Sequence, residues 1–362
     1  MRSKSVASVA AVALATVVAL TGCVSAEPPA AAHASAPSQT AKPTPTVASA
    51  PSVRVPTTCD ALVPRDAANA AAATPVLPST PRRSPLPVAY ADDRVGALSC
   101  EWKADVAADW PDTSIVGITV IPDVTKAAFD EVRNGSISSL VRPGKYGADS
   151  YTLCEFGGYG TACSFSELAN GYAVVGSIFR VGKQEDSTVS AANDALFDRV
   201  HAVAASLAPP AARWEPASAS IRGASTCDDL ATIRQITAVF PGTDPNEYRS
   251  EGGEDAYSTL STAQAVGSYY CVLAGSDGTW SLQLAVLPGG ASYVHTAEQS
   301  RADLASVQSI AGVGDSASYF PTTGTLDIVA GNGWVQLESK GAPLDKIKAM
   351  AATVLTNLGY AG

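Results

Sequence analysis

The sequence predicts an α+β protein in which one module is written twice. Three observations carry this expectation. Four short matches recur in the same order. Cys59-Asp60-Ala61-Leu62 returns as Cys227-Asp228-Asp229-Leu230, and Val95-Gly96-Ala97-Leu98-Ser99-Cys100 as Val266-Gly267-Ser268-Tyr269-Tyr270-Cys271. Asp149-Ser150 returns as Asp315-Ser316, and Asn170-Gly171-Tyr172 as Asn332-Gly333-Trp334. Within each copy, segments of period two alternate with helical segments, the pattern of an antiparallel sheet packed with helices. The chain has 362 residues, enough for two domains at about 150 residues each, and 46% of them are hydrophobic against 16% charged. That balance excludes a wholly disordered chain.

The elements of a copy follow in the order α-β-β-α-β-β-β-α. The aspartate after the first cysteine suits a helix N-terminus, where a carboxylate meets unpaired N–H groups. Leu98, Cys100 and Trp102 alternate with Ser99, Glu101 and Lys103, which predicts a half-buried strand, and Ile115–Ile121 is the next one. The second copy repeats the pair as Tyr269–Ala274 and Trp280–Leu287, joined through the turn Gly275-Ser276-Asp277-Gly278. A helix is expected near Thr125–Arg133 and near Tyr293–Val307. Two or three more strands follow, with hairpins at Asn170-Gly171 and Asn332-Gly333. Amphipathic helices over Asn193–Leu207 and Leu344–Leu358 close the copies.

The N-terminus reads as an address. Arg2 and Lys4 precede an uncharged run, Val6–Leu20, shorter than the roughly 20 residues of a spanning helix, so it reads as an export signal. The run ends in Leu20-Thr21-Gly22-Cys23, which resembles the lipobox of bacterial lipoproteins. The resemblance implies a diacylglycerol on the Cys23 thiol and cleavage that leaves Cys23 as the first residue. An ordinary signal cut after Val24-Ser25-Ala26 is the competing reading; the small residues at 21 and 22 favour lipidation. Residues 24–56 are rich in Ala, Pro, Ser and Thr and read as a disordered tether. The expected organisation is therefore signal 1–23, tether 24–56, repeat 57–208, linker 209–224 and repeat 225–362. Lipobox, tether, a Cys-Asp-x-Leu helix and a later strand cysteine together resemble actinobacterial cell-envelope lipoproteins, many with domains of unknown function. They are also similar to the extracytoplasmic sensor domains of some actinobacterial Ser/Thr kinases. The resemblance implies a binding or sensing role and supplies no catalytic residues.

Outside the membrane, paired cysteines are expected. Cys59–Cys100 and Cys227–Cys271 hold equivalent places in the copies, which leaves Cys154 for Cys163. No C-x-x-C occurs and no histidine lies near these positions, so a metal is not expected there. G-x-S-x-G and phosphate-cradling glycine motifs are absent from the sequence. His201 and His295 fall in non-equivalent helices and His33 in the tether, which favours packing or surface roles. Asp105, Asp109 and Asp112 read as a solvated turn, since their spacing is not that of a calcium loop.

A formal charge of −10 argues against nucleic acid, whose binding needs a basic footprint. The function expected is a membrane-anchored, non-catalytic binding or sensing lipoprotein without a cofactor. Its expected partners are membrane lipid, through acylated Cys23, and an envelope lipid, glycan or protein ligand. The alternative is an envelope hydrolase or transferase using carboxylates brought together only by the fold. Candidate ligand-binding residues are Tyr172 and Trp334, the aromatics after the matching Asn-Gly pairs. Arg133, Arg142 and Lys145, a basic group that the second copy lacks, are candidates for an anionic partner.

Overall fold

The computed structural model describes residues 50–81, 83–105, 113–135, 142–156, 160–182, 187–216, 221–241, 245–246, 262–275, 281–301 and 304–361. The segments expected as signal and lipobox, with Cys23, and the expected tether up to residue 49 lie outside them.

The first half opens with two helices, α1 (Cys59–Leu62) and α2 (Arg65–Ala72), then the edge strand β1 (Val76–Ser79). After a 3-10 turn at Pro87–Tyr90 come α3 (Ala91–Val95), β2 (Leu98–Ala104) and β3 (Ile115–Pro122). Then follow α4 (Lys126–Gly135), β4 (Arg142–Gly144), β5 (Gly147–Phe156), β6 (Gly160–Ala169), β7 (Tyr172–Val181) and α5 (Ser187–Ser206). The second half repeats the order. It runs α6 (Cys227–Leu230), α7 (Ile233–Val239), β8 (Pro245–Asn246), α8 (262–266), β9 (Tyr269–Gly275), β10 (Ser281–Leu287) and α9 (Val294–Gln299). It closes with β11 (Gln308–Ile310), β12 (Ser316–Phe320), β13 (Thr325–Ala330), β14 (Gly333–Glu338) and α10 (Leu344–Asn357).

Each half makes one antiparallel sheet, and the two have the same topology. The first runs β1-β2-β3-β7-β6-β5-β4, and the second β8-β9-β10-β14-β13-β12-β11. The α+β class and the duplicated sheet are as the sequence predicts. The copies are richer than α-β-β-α-β-β-β-α by two edge strands and two short helices each. The helix expected over Tyr293–Val307 is broken: a 3-10 turn at Ala291–Tyr293 leads into α9, and another 3-10 turn covers Leu304–Ser306. The turn expected at residues 275–278 extends beyond the described residues.

Local chemistry sets the helix starts. Thr226 and Asp229 form a reciprocal capping box on α6, and Thr232 and Gln235 another on α7, each satisfying two backbone donors that a helix start leaves open. Gly96 and Gly267 end α3 and α8 at φ of 79° and 67°. A side chain at 267 would also collide with the backbone of Gly223, so that position admits only glycine.

One face of each sheet carries its main core. In the first half, Trp102, Ile118, Phe165 and Ile178 pack under Leu196, Phe197 and Val200 of α5. In the second, Leu273, Leu284, Ile328 and Leu337 pack under Ile347, Met350 and Val354 of α10. The three disulfides join the pairs expected. Cys59–Cys100 and Cys227–Cys271 tie α1 to β2 and α6 to β9, with Cα separations of 5.5 and 5.6 Å. Cys154–Cys163 crosses directly between β5 and β6.

The register corrects one sequence match. β6 and β7 turn through Asn170-Gly171, both left-handed, whereas β13 and β14 turn through Gly331-Asn332, with Gly331 at φ 59°. The second hairpin is therefore not at Asn332-Gly333. The left-handed first position went to the glycine one residue earlier. A one-residue slip reverses the faces of a strand, so Tyr172 corresponds to Gly333 and Ala173 to Trp334. Ile221 fills the place beside Gly333 that the Tyr172 side chain would take. Asp149-Ser150 likewise corresponds to Ser316-Ala317, not to Asp315-Ser316.

Both halves belong to one compact unit, Val47–Gly362, and they meet through their second faces. Val88, Tyr90 and Ala91 of the first half pack on Leu287, Val294, Ala297 and Trp334 of the second. Tyr90 stacks on Tyr293, with centroids 5.4 Å apart, and meets Trp334 edge-on at 5.5 Å. Val266 of α8 packs in return against the group containing Val95, Ile121 and Phe129.

Candidate functional site

The junction is organised by buried polar groups. Arg94 of α3 is 2% exposed. Its Nη1 donates to Trp214 O (2.7 Å), its Nε to Pro288 O (3.2 Å) and its Nη2 to Glu215 Oε2 (3.0 Å). The guanidinium also lies 4.5 Å from the centre of the Trp214 ring. Across the same junction, Thr262 Oγ1 donates to Asp92 Oδ1 at 2.7 Å. Arg54 donates from Nε to Ala211 O at 2.8 Å, and Arg213 from Nη1 to Ala265 O at 2.7 Å. The described part of the segment expected as a linker is thus clamped from both halves.

Removing the Arg94 side chain strands two carbonyls and takes from Glu215 one of its two arginine partners, Arg213 remaining. Hydrogen bonds to charged groups are worth about 1.5–3 kcal/mol each, offset in part by rehydration. Arg94→Ala is expected to lower the unfolding free energy by about 2–3 kcal/mol in denaturant titration and to part the unfolding of the two halves. A single transition at the wild-type midpoint overturns this assignment.

Beside this clamp lies a cavity of about 280 Å³ whose wall comes from both halves. Val95, Ile121 and Val124 supply apolar surface, and Arg213, Thr262 and Gln264 supply polar groups. Small-molecule sites favour such junctions and such linings.

A second buried polar group centres on Asp327, which is 1% exposed in the middle of β13. Its Oδ1 accepts from Trp334 Nε1 (3.0 Å) and Gln336 Nε2 (2.6 Å), and its Oδ2 pairs with Arg301 Nη2 (3.0 Å). Pro85 O, from the first half, accepts from Gln336 Nε2 and Arg301 Nη2. Burial pushes the Asp327 carboxyl up, while Arg301, Gln336 and Trp334 pull against it.

The third group sits on the helix-covered face of the first sheet. Glu167 Oε2 lies 2.6 Å from His201 Nδ1 of α5, and Glu167 Oε1 is buried without a hydrogen-bond partner among the described residues. Burial raises the Glu167 pKa, and His201 opposes it. Tyr146 stacks on the His201 ring at 4.1 Å and donates to Asp198 Oδ1 at 2.5 Å. Lys145 pairs with the same Asp198 oxygen at 2.6 Å. Burial and Asp198 raise the Tyr146 pKa, while Lys145 and Tyr146 lower that of Asp198.

The residues singled out in sequence do not converge on one place. Tyr172 and Trp334 are both fully buried. Tyr172 packs in the core under α5 and donates to Ala208 O at 2.8 Å. Trp334 faces the other way, into the junction. Lys145 is exposed and engaged by Asp198. Arg133 lies in α4 and Arg142 in β4, with side chains outside the described set, as are residues 136–141 between them. Asp105 is exposed, and Asp109, Asp112 and His33 lie outside the described residues. His295 stands exposed on α9, within 2.9 Å of Gln299 Nε2. The sequence reading passed over Arg94, Asp327 and Glu167. For Asp327 the signal was a lone carboxylate inside an apolar strand, Thr325-Leu326-Asp327-Ile328-Val329.

No helix among the described residues is long and apolar enough to cross a membrane, and no group of three or more His, Cys, Asp or Glu there is placed to hold a metal ion. No protein-family model, curated protein or solved structure matches the chain.

Proposed function

We propose that the chain is an exported lipoprotein, anchored at the outer face of the cell membrane through an acylated Cys23, that binds or senses an envelope ligand without transforming it. The observation that carries the binding reading is the junction cavity. A ligand seated there touches both halves and Arg213 of the clamped segment at once, so its arrival and the way the halves are held are linked. Three disulfides suit an oxidising compartment. The lipobox-like Leu20–Cys23 and the Ala/Pro-rich tether supply the anchor, and their resemblance to actinobacterial envelope lipoproteins points the same way. The partners of this reading are membrane lipid at Cys23 and an envelope lipid, glycan or protein in the cavity.

The Glu167–His201 pair favours a second reading, an envelope hydrolase or transferase. A buried carboxylate that orients a partly exposed imidazole is the arrangement of a general base.

The test is mass spectrometry of the chain taken from membranes. Wild-type protein is expected to carry a diacylglycerol mass on Cys23, and Cys23→Ala to leave the membrane fraction. Native spectra are expected to retain an envelope ligand that a bulky side chain at Ala128, also in the cavity wall, expels in Ala128→Trp. A mature chain that begins after Ala26 without acyl mass overturns the anchor. Turnover of envelope material that Glu167→Gln abolishes overturns the non-catalytic reading.

A further inference from the structure

The two halves differ most informatively under their middle helices. Sheet register pairs Tyr151 of β5 with Ser318 of β12, and Ser166 of β6 with Asp327 of β13. The helices align through a shared contact: Asp123 N donates to the hairpin carbonyl Gly171 O, and Ala291 N to Asn332 O. Three residues later Lys126 opens α4 and Val294 opens α9. Phe129 then corresponds to Ala297, and Asp130 to Glu298.

In the first half this space is filled. Phe129 and Tyr151 are buried in ring contact, with centroids 5.7 Å apart. Lys126 Nζ bridges Asp130 at 2.9 Å and Asp149 at 2.8 Å. In the second half Ala297 and Ser318 stand where the two rings were. A cavity of about 210 Å³ opens there, walled by Val294, His295 and Glu298 of α9 and by Ser316, Ser318 and Asp327 of the sheet. Glu298 keeps a carboxylate at the place of Asp130, half-buried; its backbone carbonyl accepts from Arg301 N, while its carboxylate makes no hydrogen bond or ion pair among the described residues. The ammonium that answers the carboxylate in the first half has been replaced by the Val294 side chain. Asp327 is already matched by Arg301, Trp334 and Gln336, so one negative charge, that of Glu298, remains to be balanced.

We propose that this cavity binds a small ligand through a primary ammonium group, which takes beside Glu298 the place that Lys126 Nζ holds in the first half. Half-burial strengthens the attraction relative to an exposed pair, and the same carboxylate repels anions. The Ser316 and Ser318 hydroxyls favour a ligand with a polar group beside its ammonium. The inference rests on the binding reading above and gives it a ligand class in the second half.

Calorimetric titration of the full chain with ethanolamine tests it, with ethanol and tetramethylammonium as controls. Saturable binding of ethanolamine is expected, at least tenfold tighter than either control. Glu298→Gln is expected to weaken it at least tenfold with thermal unfolding unchanged. Val294→Lys, which supplies an internal ammonium, is expected to do the same, while Lys126→Met leaves binding as it was. No saturable binding, or equal binding by wild type and Glu298→Gln, overturns the proposal. Native spectra that still carry an envelope ligand in that case leave the broader binding reading standing, so the two failures are told apart.

Discussion

Asp327→Ala is expected to cost about 3–5 kcal/mol of stability, the range for breaking a buried ion pair by removing one partner. The variant leaves the Arg301 side chain, 6% exposed, without its counter-charge. Trp334 Nε1 loses its acceptor and Gln336 Nε2 one of two. Arg301 Nε is already buried without a partner among the described residues, so Arg301 has little in reserve. Adding Arg301→Met is expected to recover part of the loss, because the stranded charge goes with it and an apolar side chain can lie against Phe320, over which the guanidinium now sits at 4.7 Å. Guanidinium unfolding of the two variants and of Arg301→Met alone closes the cycle. A loss below about 1 kcal/mol in Asp327→Ala, on the same scale, would show that the carboxylate does not hold this group together.

The disulfides and the sheet order were legible because duplication turns one sequence into two readings of the same structure. Cys59–Cys100 and Cys227–Cys271 constrain each other, and Cys154 and Cys163 are what remains. The edge strands were not legible. β1, β4 and β8 each contain a proline, at 78, 143 and 245, and span only four, three and two residues, too short for a period to show. The hairpin match failed for a different reason. Asn-Gly was matched to Asn-Gly by identity, whereas the chain matches turn to turn by which residue accepts φ > 0. That single slip put Tyr172 and Trp334 on opposite faces. The polar groups of the junction escaped because their members are far apart in sequence: Pro85 and Gln336 are 251 residues apart, and Arg94 and Pro288 are 194. Distance hides partners, but it does not hide a charged residue inside an apolar strand. Asp327 was visible in that way.

Replacing Cys227 and Cys271 together by serine is expected to cost about 4 kcal/mol, the loop-closure entropy of a cross-link spanning about 44 residues. The separation is 44 in sequence, against 9 for Cys154–Cys163, whose loss on the same account costs about 2.5 kcal/mol. The long bridge also ties α6 to β9, two strands from β14 and three from β13, which carries Asp327. Its loss frees α6 from β9. Cys227 and Cys271 are 3% and 0% exposed, so serine adds two buried hydroxyls and the measured loss is expected at or above the entropic figure. In a domain of about 150 residues each kcal/mol moves the melting temperature by about 2–4 °C, so a fall of roughly 10 °C is expected in a calorimetric scan. The double serine variant of Cys154 and Cys163 is expected to fall by about half as much. If the two variants melt together, or if the long bridge proves the less important one, chain entropy is not what these cross-links supply. Peptide mapping without reduction provides the companion check, and a link joining the first half to the second would contradict the pairing itself.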